Sequence, residues 1–121
     1  MKKVLIVDDS EVIRQQLSRA LNEAGLQTVE ASDGVEGLER VAEHTDLALL
    51  VLDINMPRMN GLEILDALKK DPKSAALPVL ILTTEAQNSM VARARQAGAK
   101  AWLIKPVKMD MFVGVVQRFA A

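Results

Sequence analysis

Residues 47–53 read LALLVLD, an apolar run that ends at the carboxylate of Asp53. A continuous apolar run, without polar alternation, is typical of a parallel strand that is covered on both faces. Four other short runs also predict strands: residues 4–7 (VLIV), 27–31 (QTVEA), 79–82 (VLIL) and 101–104 (AWLI). The run at 27–31 carries more polar residues than the others, which favours an outer position in the sheet.

Stretches with helical periodicity separate the predicted strands. Their apolar positions are Ile13, Leu17, Ala20, Leu21, Ala24, Val35, Leu38, Val41, Ala42, Leu62, Leu65 and Leu68. Two more helices are predicted over residues 87–97 and from Met109 onward, and Gly25 and Gly98 stand where helices should end. Because strands and helices alternate, we expect right-handed crossovers and a doubly wound α/β fold, a five-stranded parallel sheet with helices on both faces.

Composition excludes several classes of protein. The chain has 121 residues, half of them apolar, which predicts one domain with an ordinary core. Lysine and arginine total 15 against 16 acidic residues, so the near-neutral charge gives no support for nucleic-acid binding. No apolar run approaches the roughly 20 residues of a membrane-spanning helix, and no signal-peptide pattern is present, so we expect a cytoplasmic protein. Because cysteine is absent, any metal must be held by oxygen or by the single His44, which we expect to be a solvated surface residue.

Polar residues follow four of the predicted strands. Asp8 and Asp9 come after the first strand, Asp53 after the third, Thr83 after the fourth and Lys105 after the fifth. Ligands of doubly wound sheets bind beyond the carboxyl ends of the strands, so we expect these five residues to converge at one edge. Three crowded carboxylates repel one another, and a hard divalent cation such as Mg²⁺ would relieve that repulsion and leave coordination positions for a phosphoryl oxygen.

Each residue taken alone has a plainer interpretation. The acid pair before Ser10 could merely cap a helix, Asp53 could be an ordinary turn residue, and a threonine or a lysine at a strand end is common. The coincidence of all of them, in this order on four strands, is what points to chemistry. It favours Asp53 as a nucleophile, Lys105 as a positive charge for the incoming phosphoryl oxygens and Thr83 as a hydroxyl donor.

The chain resembles the response-regulator receiver family over essentially its whole length. The motifs that carry the resemblance are VLIVDDS at residues 4–10, DINMPRMNG at 53–61, LTT at 82–84 and GAKAWLIKP at 98–106. The resemblance implies a flavodoxin-like (βα)5 fold with strand order 2-1-3-4-5. It also implies a receiver domain over residues 1–121 with no output domain, in which a signalling switch catalyses its own phosphorylation and autodephosphorylation.

The resemblance assigns a role to each reacting group. Asp53 is implied to be the phosphoacceptor, and Asp8, Asp9, Asp53 and the backbone carbonyl of Asn55 to be the ligands of Mg²⁺. Lys105 is implied to be the phosphate partner, followed by a cis peptide bond to Pro106.

Further positions are implied to bind the phosphoryl group, to switch and to set rates. Thr83 is the implied switch hydroxyl and Trp102 the implied aromatic switch residue; the alternative for Trp102 is a partly buried packing residue. Asn55 and Thr84 join Lys105 in the implied phosphate site, and Asn55 and Glu85 are implied to tune hydrolysis of the acyl phosphate. Thr84, where alanine or glycine is usual, and Val107, where phenylalanine is frequent, depart from the pattern, so we expect altered rates rather than an inactive site.

Asn55 and Glu85 place the likeness nearest to single-domain chemotaxis regulators, the CheY-like branch. The implied phosphodonor is a histidine kinase, and the implied target binds the face of the fourth helix, fifth strand and fifth helix of a monomer, as the flagellar motor switch would. Met90, Met109 and Met111 suit a binding face there, or they pack in the core.

Other interpretations remain open from the sequence. A stand-alone phosphorelay intermediate and a receiver cut from a larger regulator both fit. A phosphatase of the haloacid-dehalogenase type fits less well, because Asn55 stands where its second acid should be, and the acceptor follows the third strand. Flavodoxin-like electron transfer is disfavoured because Asp8 and Asp9 would repel a flavin phosphate. His44 is not expected to be a relay phosphohistidine.

Overall fold

The computed structural model describes residues 3–54, 61–84 and 88–120. Five strands alternate with five helices. The elements are β1 (Lys3–Val7), α1 (Glu11–Glu23), β2 (Gln27–Ala31), α2 (Gly34–Glu43), β3 (Leu47–Leu52), α3 (Gly61–Lys70), β4 (Val79–Thr83), α4 (Asn88–Gln96), β5 (Ala101–Ile104) and α5 (Met109–Ala120). The predicted helix at residues 87–97 is present as α4, and Gln87 itself lies outside the described residues.

The strands form one parallel sheet in the order β2-β1-β3-β4-β5. This order confirms the predicted doubly wound, flavodoxin-like architecture, and β2 occupies the outer position that its polar residues predicted. Thr83 is the last residue of β4 rather than the residue beyond it. Within the described part of the chain, no helix is both long enough and apolar enough to cross a membrane.

Each face of the sheet carries its own apolar cluster, which explains why the strands are apolar without alternation. On one face, side chains of α1 and α5, including Leu17, Leu21 and Phe112, cover β1, β3 and β4. On the other face, α3 supplies Leu62, Ile64, Leu65 and Leu68, with α2 and α4 packed beside it.

Helix ends follow the local chemistry of the sequence. The hydroxyl of Ser10 accepts a hydrogen bond from the Ile13 N–H and begins α1, and the carboxylate of Asp33 does the same for α2 with the Glu36 N–H. Gly25 and Gly98, with φ of +88° and +103°, occur after α1 and α4 in the left-handed region that glycine adopts at low cost.

Three details of the predicted packing are wrong. Val35 and Ala42 belong to the helical apolar pattern, yet both are exposed, and α2 instead brings Gly37 against Val7. His44, which we expected to be a solvated surface residue, is half-buried where it ends α2, and its Nδ1 atom lies 3.5 Å from the Nζ atom of Lys3.

The three methionines of the predicted binding face divide between core and surface. Met90 packs against the cluster beneath α3. Met109 and Met111 are 37% and 57% exposed, so core packing does not account for them.

Candidate functional site

Three carboxylates meet at the carboxyl edge of the sheet. Asp8 follows β1 and Asp53 follows β3, its neighbour, and the backbone N–H of Asp53 donates to the Val7 carbonyl at 3.0 Å. One carboxylate oxygen from each of Asp8, Asp9 and Asp53 lies within 4.8 Å of the others. Asp8 and Asp53 are buried, whereas Asp9 is exposed. The three acids therefore converge at one edge of the sheet, as their positions after the strands predicted.

Lys105 reaches into this acidic group from the end of β5. Its Nζ atom lies 2.6 Å from Oδ2 of Asp8 and 3.0 Å from Oδ2 of Asp53. Only 15% of the lysine side chain is exposed, so the two ion pairs are largely shielded from water. One ammonium thus bridges the two buried carboxylates and offsets part of their mutual repulsion.

Burial and charge shift the ionisation of both partners. Burial raises the pKa of Asp8 above its usual value, and hydrogen bonds from Lys105 and from the Ser10 N–H only partly oppose this effect. Burial alone would lower the pKa of Lys105, but its hydrogen bonds and charge interactions with Asp8 and Asp53 outweigh burial and raise it. The lysine is therefore held as a cation at neutral pH.

The threonine and the tryptophan lie on neighbouring strands. Thr83 is fully buried at the end of β4, and its carbonyl accepts a hydrogen bond from the Lys105 N–H at 2.8 Å. Trp102 of β5 is paired with Ile81 of β4. Because Ile81 and Thr83 are two residues apart on β4, the side chains of Trp102 and Thr83 lie on the same face of the sheet. Trp102 is half-buried against the cluster beneath α3, whereas Thr84 is exposed. This arrangement fits either reading of the tryptophan, packing residue or switch.

Ser10, not the acid pair, caps the first helix. The Ser10 hydroxyl accepts from Ile13, and the backbone N–H of Ser10 donates to Oδ1 of Asp8 at 2.9 Å. The carboxylate of Asp8 is thereby turned toward Lys105 and Asp53. The plainer interpretation of Asp8 and Asp9 as helix caps is wrong.

Arg14 is a part of the site that the sequence did not indicate. Its Nη1 atom donates to the backbone carbonyl of Asp8 at 2.6 Å, and its Nε atom lies 3.3 Å from the Glu30 carboxylate on β2. The only local signal is the placement of Arg14 in the first turns of the helix that follows the acid pair, where arginine is unremarkable.

Gly61 packs closely against the backbone at Asp53. Its N–H donates to the Ile54 carbonyl at 3.0 Å, and a Cβ atom placed on it would stand 2.8 Å from the Asp53 carbonyl. Asn55 and Glu85, with their implied roles in metal binding and tuning, lie outside the described residues. The Lys105–Pro106 peptide bond is cis, as the resemblance implies, and Val107 packs against the cluster beneath α1 and α5.

The donor set decides which cation suits this edge. Carboxylate oxygens are hard ligands, and Mg²⁺ or Ca²⁺ prefers such ligands, whereas nitrogen and sulfur donors favour transition metals. The three acids Asp8, Asp9 and Asp53 offer oxygen only. They therefore fit a hard divalent cation.

Comparison with known proteins assigns the class. Residues 4–117 match the family described as the response regulator receiver domain. The chain therefore belongs to the receiver domains of response regulators, and the resemblance seen in its motifs is confirmed. Such a domain is a signalling switch of two-component systems.

Its relatives narrow the class to the CheY-like branch. The chain is similar to the chemotaxis protein CheY1 of Helicobacter pylori, with 35% identity over 105 residues, 86% of this chain and 85% of that protein. A chemotaxis CheY homologue of Campylobacter jejuni is also 35% identical, over 86% of this chain and 81% of its own. The crystal structure of chemotaxis protein CheY4 of Vibrio cholerae superimposes with a TM-score of 0.92, at 35% identity and 98% coverage of both chains.

Proposed function

We propose that this protein accepts a phosphoryl group on Asp53 from the phosphohistidine of a histidine kinase, in the presence of Mg²⁺, and relays chemotaxis signals by switching a protein-binding surface. One observation carries the proposal. A single lysine ammonium lies within 3.0 Å of the candidate acceptor and within 2.6 Å of a second buried acid, at an edge where three carboxylates converge. This arrangement provides a nucleophile, a positive charge beside it and oxygen ligands for a cation.

Asp8, Asp9 and Asp53 would hold Mg²⁺, together with the Asn55 carbonyl that the family pattern assigns. When bound, the cation supplies positive charge for the oxygens of the transferring phosphoryl group. Asp8 is held for this role by the Ser10 N–H.

The chain's own groups carry the transfer. A carboxylate oxygen of Asp53 attacks phosphorus, forming an acyl phosphate as the nitrogen–phosphorus bond of the donor breaks. The raised pKa of Lys105 keeps its ammonium protonated. During transfer the ammonium moves from its position between the carboxylates of Asp8 and Asp53 to pair with a phosphoryl oxygen. Because Asp53 extends the backbone hydrogen bonding of the sheet to Val7, its side chain starts from a fixed position.

The output is a population shift between two arrangements of the β4 and β5 edge. The Thr83 hydroxyl bonds the phosphoryl group in the active arrangement, and Trp102, on the same face of the sheet, turns inward. The surface of α4, β5 and α5, which exposes Ile104, Met109 and Met111, then binds its target. The relatives are named as chemotaxis proteins, so a component of the flagellar motor switch is the target of first choice.

Phosphorylation by a small donor tests the acceptor. Acetyl phosphate with Mg²⁺ should add one phosphoryl group to the intact protein by mass spectrometry, and EDTA should abolish the addition. Asp53→Asn should remove it, whereas Asp66→Asn, an exposed acid on α3, should leave it unchanged. Labelling that persists in Asp53→Asn or in EDTA contradicts the proposal.

Fluorescence tests the switch. Trp102 is the only tryptophan of the chain, so its emission reports on one position. Adding beryllofluoride with Mg²⁺ should change that emission in the wild type and in Thr84→Ala, but not in Asp53→Asn. Constant emission in the wild type would leave Trp102 as a packing residue only.

A further inference from the structure

We propose that Arg14 is a positioning residue that fixes the peptide group between Asp8 and Asp9 and thereby sets the preference of the site for Mg²⁺ over Ca²⁺. This inference rests on the magnesium site proposed above and concerns a residue outside the acid–lysine constellation. Arg14 contacts none of the three carboxylates in the described contacts, so its effect is exerted through the backbone of Asp8.

The contacts of Arg14 form a bridge from the edge strand to the acid pair. The Nη1 atom donates to the Asp8 carbonyl at 2.6 Å, and that carbonyl belongs to the peptide group that links Asp8 to Asp9. The Nε atom donates to the Glu30 carboxylate of β2 at 3.3 Å. The same planar guanidinium therefore connects β2 with the loop that follows β1. The Arg14 side chain is only 14% exposed, which marks it as a built-in element of the structure rather than a surface charge.

The other hydrogen-bonding groups of Asp8 are held by residues other than Arg14. Its N–H donates to the Ala31 carbonyl at 3.2 Å, its Oδ1 accepts from Ser10, and its Oδ2 accepts from Lys105. Among the contacts of Asp8 with the described residues, that of Arg14 is made to the peptide group leading to Asp9, and rotating this peptide group would swing Asp9 relative to Asp8. Arg14 therefore controls how far apart the two acids present their oxygens.

Geometry and charge predict opposite results for the loss of Arg14. A guanidinium near the acids repels a cation, so removing its charge alone would strengthen binding of Mg²⁺ and Ca²⁺ equally, since both carry two charges. Loosening the peptide group would instead weaken Mg²⁺ most, because Mg²⁺ demands near-ideal octahedral geometry, whereas Ca²⁺ tolerates irregular ligand arrangements. The ratio of the two affinities thus separates positioning from charge.

The experiment measures Mg²⁺ and Ca²⁺ dissociation constants by titration calorimetry, together with the melting temperature. Arg14→Lys keeps the charge but cannot supply two donors in a fixed fork, and Arg14→Met removes both. Arg19→Met, on the same helix but 84% exposed, is the matched control. Outer contacts of metal sites commonly change affinity by about 10–100-fold. We expect both Arg14 variants to bind Mg²⁺ about tenfold more weakly and Ca²⁺ less than about threefold more weakly.

The outcomes distinguish this inference from the function on which it rests. A wild type that binds neither cation overturns the metal site and, with it, the role of Arg14. If the wild type binds Mg²⁺ and the Arg14 variants have the same ratio of Mg²⁺ to Ca²⁺ affinity as the wild type, the role of Arg14 alone is overturned. Tighter binding of both cations to Arg14→Met would show that Arg14 acts through charge. A lowered melting temperature with an unchanged ratio would show that its role is only structural.

Discussion

Replacing Lys105 by methionine tests whether the ammonium and a divalent cation serve the same acids. The variant keeps a side chain of similar length but leaves Asp8 and Asp53, 3% and 8% exposed, without their bridging charge. Removing one partner of a buried ion pair costs about 3–5 kcal/mol, because the other charge stays buried and unpaired. The pocket lies at an open edge beside the exposed Asp9, and Asp8 can take up a proton, so we expect a loss of about 2–3 kcal/mol in unfolding free energy.

Mg²⁺ should reverse most of that loss. Saturating Mg²⁺ stabilises both proteins, and the variant gains more than the wild type by about 1.4 kcal/mol for each factor of ten by which it binds Mg²⁺ more tightly. Lys105→Met should also bind Mg²⁺ more tightly than the wild type, by about a hundredfold or more, because a unit charge about 4 Å away at an effective dielectric constant of about 20 repels a cation by several kcal/mol.

Urea denaturation with EDTA and with saturating MgCl₂ measures both effects. Without metal the variant should unfold at lower urea concentration than the wild type, and with Mg²⁺ the difference between them should shrink by more than half. Lys100→Met, an exposed lysine just before β5, should match the wild type under both conditions. An equal difference with and without Mg²⁺ would refute the reasoning, since it would mean that lysine and cation do not share these acids.

Four further substitutions follow from the structure. Because the pKa of Asp8 is raised in the folded state, its protonation stabilises the fold fully below pH 3.8, and this stabilisation is lost as the pH rises through the pKa of the folded state. Asp8→Asn should therefore be more stable than the wild type in metal-free buffer at neutral pH. In denaturation measured below pH 3.8, the two proteins should be equally stable. Ser18→Ala should raise the urea-derived stability by about 1 kcal/mol, since its buried hydroxyl has no partner in the described part of the chain and alanine favours the helix. Gly61→Ala should lower the free energy of unfolding by about 1–3 kcal/mol and slow labelling by acetyl phosphate, because its Cβ would stand 2.8 Å from the Asp53 carbonyl. Gly114→Ala, where a Cβ meets open space, should stabilise α5 by up to about 1 kcal/mol. A Gly61→Ala protein as stable as Gly114→Ala would contradict the close packing.

The sequence was sufficient for the sheet and for the meeting of the acids. Strand ends are local features, because an apolar run stops where a charged residue begins, and parallel topology then places all those ends at one edge. Asp8, Asp53 and Lys105 therefore converge as predicted, although up to 97 residues separate them.

Contacts between different elements were less accessible. Arg14 looks like any helical arginine until the position of β2 is known, because its partners Glu30 and the Asp8 carbonyl belong to two other segments. The exposure of Val35 has a similar origin: Gly37 lets α2 approach Val7 closely, and that approach decides which side of the helix faces the sheet. Periodicity gives the presence of an apolar face but not the rotation of the helix about its axis.

The backbone hydrogen bond from Asp53 to Val7 has a consequence for the design of the domain. Because this hydrogen bond continues the pairing of the central strands β1 and β3, the amide hydrogen of Asp53, the residue that we expect to be modified, should exchange with solvent as slowly as those of the central strands. Turnover of the modification should then leave the central strands undisturbed. This chain differs from the Vibrio cholerae CheY4 chain at most positions and yet has nearly the same backbone.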